Sequence, residues 1–326
     1  MNTKIRAPRN RTLTLTKSES ARLAKLAKSF PAKANLKGIS DKIFCDDLFK
    51  CIGKIPDKSI DLLFLDPPYN LTKDYGEVKF QARSAEQYED WFAKWFIPLL
   101  PKLKSTASVY VCCDWRTSVS VYNILSNHLF IRNRITWERE KGRGALSNWK
   151  NCSEDIWYAT VDKEQYTFNV DAVKLKRKVL APYTNSDGTP KDWQMTAGGN
   201  FRLTHPSNLW TDISIPFWSM PENTDHPTQE PEKLVAKLIL ASSDEGDMVF
   251  DPFMGSGTTA VVAKKLNRHF SGGEINPEYH ALAMKRLENA DTDPTIQGYS
   301  GKVFWERNSG VDQMAEKVLT ENDIVL

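Results

Sequence analysis

The residues with the plainest chemical potential are Asp66, Pro67, Pro68 and Tyr69. Ile60, Leu62, Leu63, Phe64 and Leu65 precede the acid, an apolar run that predicts a buried strand of a parallel sheet with Asp66 at its carboxyl end. Open α/β sheets place their chemistry at that edge. The two prolines fix φ and donate no N–H, so the turn is stiff, and Pro67 keeps a carbonyl oxygen beside the Asp66 carboxylate. Two rigid acceptors suit an amino group, and the flat ring of Tyr69 suits a planar heteroaromatic base that carries an exocyclic NH2. Taken alone, Asp-Pro-Pro is an ordinary proline turn capped by an acid, so the rest of the chain decides.

A second group lies in the last third. Met248 to Asp251 reads as a strand, and Pro252, Phe253, Gly255, Ser256, Gly257 and Thr258 turn it into a helix running to about Leu266. Gly255-x-Gly257-x-x-Ala260 between strand and helix is a nucleotide-binding type of turn, in which absent side chains let the backbone approach a ligand at a helix N-terminus. No lysine follows the second glycine, which excludes a Walker A phosphate loop. Glu274 ends the next expected strand, where it can accept both hydroxyls of a ribose. A nicotinamide dinucleotide would fit this much, but Asp251 in front of the glycines would repel a pyrophosphate and suits an ammonium or sulfonium. S-adenosyl-L-methionine (AdoMet) carries both.

The elements that must position these residues alternate. Short strands are expected at 43–45, 109–113, 131–137 and 270–274, with helices at 88–103, 119–125, 230–243 and 276–290, which together give an α/β fold with a doubly wound, mostly parallel sheet. Asp46 then stands at a strand end, and Asp46 or Asp47 can cap the helix that follows, the cap being the more natural role for Asp47. Residues 71–83 are polar and read as a loop beside the site. From Glu138 to about Thr224 helical periodicity fades and Gly, Asn, Pro and Trp increase, with basic residues at Arg139, Lys141, Arg143 and Lys150 and again at Lys174, Lys176, Arg177 and Lys178. Loops with interspersed cations and aromatics suit a nucleic-acid groove, although an irregular structural insertion has the same composition.

Residues 1–37 hold ten basic side chains against Glu19 alone, whereas the whole 326-residue chain carries a net charge of only +3. A basic arm on a mildly acidic body favours a polyanionic partner, and a solvated tail is the plain alternative. A short amphipathic helix is expected within it, starting near Ser18 or Ser20. The arm's acid-poor, Ser/Thr-bearing character superficially resembles a transit peptide, but no secretory or membrane-spanning run is present. Five cysteines with no C-x-x-C pair indicate neither zinc nor a disulfide framework and fit a reducing cytoplasm. None follows a proline, so the Pro-Cys nucleophile of cytosine-C5 methylation is missing.

With these residues in place, the chain resembles the β-group DNA amino-methyltransferases. Asp66 to Tyr69 match their DPPY tetrapeptide, and Phe253, Gly255 and Gly257 match their FxGxG-type motif, in the β-group order. His226-Pro227-Thr228-Gln229 resembles the HPTQKP segment that closes over AdoMet, with Glu230 where lysine is usual. The stretches 137–145 and 206–229 and the basic run at 174–178 look closest to adenine-modifying members of the RsrI type, whose target is GAATTC.

The resemblance covers about residues 42–287 and implies a catalytic part at 38–137, a target-recognition insertion at 138–224 and an AdoMet-binding part at 225–290, flanked by the basic arm at 1–37 and an extension at 291–326. It implies methyl transfer from AdoMet to the N6 amino group of an adenine flipped out of duplex DNA, with Asp66, Pro67, Pro68 and Tyr69 catalytic. Cofactor contacts are expected from Asp46, Asp47, His226, Pro227, Thr228, Asp251, Pro252, Phe253, Gly255, Ser256, Gly257, Thr258, Glu274 and Asn276. Arg139, Lys141, Arg143, Lys174, Lys176, Arg177 and Lys178 are expected at the DNA. A restriction endonuclease as functional partner and a monomeric or homodimeric state complete the expectations. The rivals are cytosine-N4 methylation, in which Ser more often replaces Asp66, and a DNA-binding relative without catalysis.

Overall fold

The computed structural model describes residues 7–74, 79–139, 146–179, 183–196 and 199–307. Along the chain, α1 (Lys17–Ala24) and α2 (Leu36–Ile39) lead to β1 (Lys42–Phe44), α3 (Leu48–Cys51) and β2 (Ile60–Leu65). A short hairpin, β3 (Lys73–Asp74) and β4 (Lys79–Phe80), precedes α4 (Ala85–Leu99), β5 (Leu103–Cys113), α5 (Ser118–Ser126), β6 (Phe130–Glu138) and β7 (Ser153–Thr160). Next come β8 (Leu175–Lys178), β9 (Gln194–Thr196), β10 (Gly199–Thr204) and β11 (Leu209–Trp210). The last part holds α6 (Glu232–Ser242), β12 (Met248–Asp251), α7 (Thr258–Lys265), β13 (His269–Gly273), α8 (Pro277–Ala290), β14 (Tyr299–Ser300) and β15 (Val303–Trp305).

The main sheet has eight strands in the order β1-β13-β12-β2-β5-β7-β6-β11. Every pairing is parallel except the two made by β7, so β7 alone runs against the rest. Apolar residues point to both faces, as a sheet covered on both sides requires. Leu62 and Phe64 face one core with α6, α7 and α8, and Ile60, Leu63 and Leu65 face the other with α3, α4 and α5. In α4, Tyr88, Phe92, Trp95 and Phe96 are buried and packed ring against ring, which accounts for the aromatic richness of that helix as core packing.

Two regions differ from the sequence expectation. Residues 138–224 are not one irregular insertion, because β7 inside that range is a central strand of the main sheet. Its neighbours hid it: Gly- and Asn-rich segments flank a strand of only eight residues. What does leave the body is a five-stranded sheet, β14-β15-β8-β10-β9, to which the chain beyond residue 291 contributes two strands. In the arm, α1 starts earlier than expected, with Thr16 and Glu19 forming a capping box. It docks on α8 through Leu23, which is fully buried, and through Arg22–Glu288 and Lys285–Glu19 ion pairs. Residues 11–13 run beside 218–224. Among the described residues no helix is long and apolar enough to cross a membrane.

Candidate active site

The chain enters β13 from β12 on one side and β5 from β2 on the other, so the adjacent pair β12 and β2 is the point where the winding reverses. At such a point the carboxyl ends of the strands splay into a crevice. Val249 lies opposite Leu62 and Phe250 opposite Leu63, so Asp251 comes level with Phe64 and Asp66 stands two residues further along the neighbouring parallel strand, the two strands lying on the order of 5 Å apart. Glu274 and Asp46 follow β13 and β1 at the same edge, and Arg139 follows β6. Because β7 is antiparallel, its first residues, including Glu154, reach this edge too.

In the target half, Asp66, Pro68 and Tyr69 are half-buried and Pro67 is buried. The Pro68 carbonyl accepts from the Tyr88 hydroxyl at 3.2 Å, and the Asn70 side chain exchanges two hydrogen bonds of 2.7 Å with the Arg83 backbone, so the proline turn is clamped to the start of α4. The Tyr69 hydroxyl approaches Glu154 Oε2 at 3.5 Å, and Glu154 is ion-paired with Arg139. Burial, then the Asp66 charge, pushes the Tyr69 hydroxyl well above its ordinary range.

In the glycine half, Asp251 is 2% exposed and accepts from the Phe253 N–H at 2.8 Å and the Thr259 hydroxyl at 2.6 Å. Burial pushes its carboxyl up to about 7, against those two bonds, with Asp66 and Glu274 adding repulsion. Glu274 accepts from the N–H groups of Gly255 at 2.7 Å and Asn276 at 2.8 Å, and burial raises it to about 7 as well. Gly255 and Gly257 have φ of +54° and +83°, the left-handed region. A Cβ on Gly257 would lie 2.6 Å from that of Ala283, so this glycine lets α7 start against α8. One on Gly255 would lie 3.2 Å from the His226 ring, which packs edge-on against Tyr279 at 4.4 Å and covers the turn. Thr228 donates its N–H to His226 at 3.3 Å, and Pro227 beside it is exposed. Pro252 is buried, and Phe253 lies edge-on to Trp95 at 5.1 Å.

Several expected contacts are committed elsewhere. The Ser256 and Thr258 hydroxyls meet Arg286 at 3.2 and 2.8 Å, and Thr258 also donates to the Glu230 carbonyl, so their side chains turn into the packing rather than the cleft. Asp47 caps α3 by accepting from Phe49 at 2.9 Å, and Asn276 caps α8. Asp46 accepts from the Phe30 and Asp47 N–H groups at 3.1 and 2.9 Å, and these bonds outweigh burial and hold its carboxyl low.

The cations expected at DNA divide likewise. Arg139 sits in the crevice on Glu154 instead of on an outer surface. Lys174 pairs with Asp171 at 2.7 Å, Arg177 with Glu306 at 3.5 Å, and Lys176 lies over the Phe201 and Trp305 rings. Lys178 is exposed, and Lys141 and Arg143 lie outside the described residues.

Sequence reasoning missed Glu154, Thr259 and Gly272. Gly272 stands opposite Asp251 across the β12–β13 pair, where a Cβ would overlap the Asp251 carbonyl and meet the Met254 side chain. The doublet Gly272-Gly273 inside a strand was the available signal, since strand glycines often mark close backbone approach. For Glu154 no local signal existed, because its place depends on the direction of β7.

Residues 60–285, more than half of the chain, match the N6/N4 methyltransferase family, described as DNA methylase. The type II methyltransferase M.HpaI of Haemophilus parainfluenzae is 32% identical over 253 residues, covering 77% of this chain and 75% of that protein. The DNA adenine methyltransferase YhdJ of Escherichia coli (strain K12) is 34% identical over 246 residues, covering 73% and 80%. Among solved structures, the M1.HpyAVI–SAM complex superposes with a TM-score of 0.52 at 24% identity over 76% of this chain and 98% of that one, a likeness of fold.

Proposed function

Since the chain belongs to the N6/N4 DNA methylase family, we propose that it is an AdoMet-dependent methyltransferase acting on the N6 amino group of an adenine flipped out of a specific duplex DNA site. Family membership supports methylation of an exocyclic amino group, and the likeness to a DNA adenine methyltransferase supports the choice of base. Likeness to a type II methyltransferase supports a restriction–modification setting, with an endonuclease of the same specificity as functional partner and cytoplasmic DNA as substrate. The observation that carries the reading is that Asp66 and Asp251 come off the carboxyl ends of neighbouring parallel strands at the reversal of the sheet.

The crevice fits a cationic nucleoside on its own chemistry. Asp251 is a buried acid repelled by both Asp66 and Glu274, and an ammonium beside it would relieve that repulsion. Each carboxylate has about four lone-pair sites, so two internal hydrogen bonds leave room for a ligand. Asp251 would hold the ammonium, Glu274 the ribose hydroxyls and Asp46 the cofactor's adenine amino group, with His226 closing the glycine turn. Bound there, AdoMet supplies an electrophilic methyl group.

The amino nitrogen of adenine is a poor nucleophile because its lone pair is delocalised into the ring. Asp66 and the Pro67 carbonyl would accept its two N–H groups, favouring a tetrahedral nitrogen whose lone pair points at the methyl. Tyr69, steadied by Glu154 and Arg139, would stack on the base, supplying about 1–3 kcal/mol toward the cost of flipping. No covalent enzyme intermediate is needed.

Incubating the protein with duplex DNA and methyl-labelled AdoMet, then analysing nucleosides, should give N6-methyladenine. N4-methylcytosine would overturn the choice of base, and no labelled nucleoside would overturn the activity. Modified-base sequencing of DNA from an expressing host should then read out the target, with GAATTC the site to compare.

A further inference from the structure

We propose that Glu230 is a base-positioning residue whose buried carboxyl donates a hydrogen bond to a ring nitrogen flanking the amino group of the target adenine. This rests on the function proposed above and adds a contact to the same site. Glu230 is 9% exposed, and its Oε2 is buried without a hydrogen-bond partner among the described residues. Its backbone is held firmly. The carbonyl accepts from Thr258 at 3.1 Å, Gln229 before it is latched to Thr224 by bonds of 3.0 and 2.6 Å, and α6 begins just after it. An unsatisfied polar atom on so fixed a backbone is costly unless a ligand completes it.

The surroundings place it on the target side. Its carboxyl feels Asp66, which follows β2, and Arg139, which follows β6. Tyr69 and Cys112 of β5 each feel Asp66 and Glu230 together, and Cys112 also feels Asp251. Burial first and Asp66 second push Glu230 up to about 8, with Arg139 opposing, which favours the protonated acid. Asp66 and the Pro67 carbonyl offer acceptors for the amino hydrogens. The adenine edge also presents N1 and N7, which are acceptors and need a donor, and a neutral carboxylic acid is one. Ionised, Glu230 would repel both that edge and Asp66.

The test uses the full chain, with duplexes carrying adenine, 1-deazaadenine or 7-deazaadenine at the target position. Glu230→Ala should lower kcat/KM on adenine about tenfold, chiefly through KM for DNA, and change it little on the analogue lacking the bonded nitrogen. Glu230→Gln, which keeps a donor of the same shape, should stay within about threefold and abolish the fall in kcat/KM that the wild type shows as pH rises through about 8. An equal loss on both analogues and adenine, or a Gln variant as poor as Ala, would overturn the assignment. AdoMet binding by calorimetry checks that the variants are folded. A wild type that makes no N6-methyladenine would sink the functional reading itself, whereas an active wild type with the wrong variant pattern would sink only the role of Glu230.

Discussion

At the glycine end of the crevice the carboxylates are held by the backbone around them: Asp251 by Phe253, with Thr259 added, and Glu274 by Gly255 and Asn276. At the proline end the bracing comes from outside the turn, with Tyr88 on the Pro68 carbonyl, Asn70 on Arg83 and the Arg139–Glu154 pair under Tyr69, while Glu230 keeps a buried oxygen that has no hydrogen-bond partner among the described residues. The difference suits what each half must receive. A cofactor of constant shape is met by a preorganised cradle, whereas a base arriving from the duplex would bring a partner for the buried Glu230 oxygen.

If this contrast is right, damage should separate by half. Asp66→Ala should lower methyl transfer by more than about a thousandfold while AdoMet affinity stays within about threefold, measured by label incorporation and calorimetry. Equal loss of both would mean that Asp66 holds the fold and not the base. Gly272→Ala should instead strike the cofactor half, since its methyl group would push β13 away from the Asp251 carbonyl. Overpacking of this kind costs about 3 kcal/mol, to be read from denaturant midpoints, and AdoMet binding should weaken with it.

The third test is one of pH. Burial raises Asp251 from 3.8 to about 7, so below the lower value the folded protein has the full benefit of the neutral acid, and this contribution is lost as pH rises through about 7. The ligand-free protein should therefore lose thermal stability over that window, while AdoMet affinity should rise between pH 6 and 7.5 as the carboxylate forms to meet the ammonium. Asp251→Asn should weaken binding about tenfold at pH 7.5 and flatten most of the dependence, a loss of about 1.4 kcal/mol. The smallest effect is expected on the insertion. Lys178→Ala should weaken duplex binding about threefold and reduce the slope against salt by about one, because Lys178 is exposed while Lys174 and Arg177 are paired within the protein.

The sequence by itself determined the strands that end in Asp66 and Asp251, the glycine turn between β12 and α7, and the winding of the sheet. Each of these is written in local chemistry: continuous apolar runs, prolines that stiffen a turn, and glycines that admit left-handed backbone. Tertiary structure alone decided which charges were available. Asp47 and Asn276 cap helices, Ser256 and Thr258 turn toward Arg286, and three cations of the 174–178 run find acids or rings in neighbouring strands. Arg139 and Glu154 meet in the crevice because β7 runs antiparallel between β5 and β6. Strand direction and side-chain partners depend on contacts between segments far apart in the chain, and no local pattern of residue types carries that information.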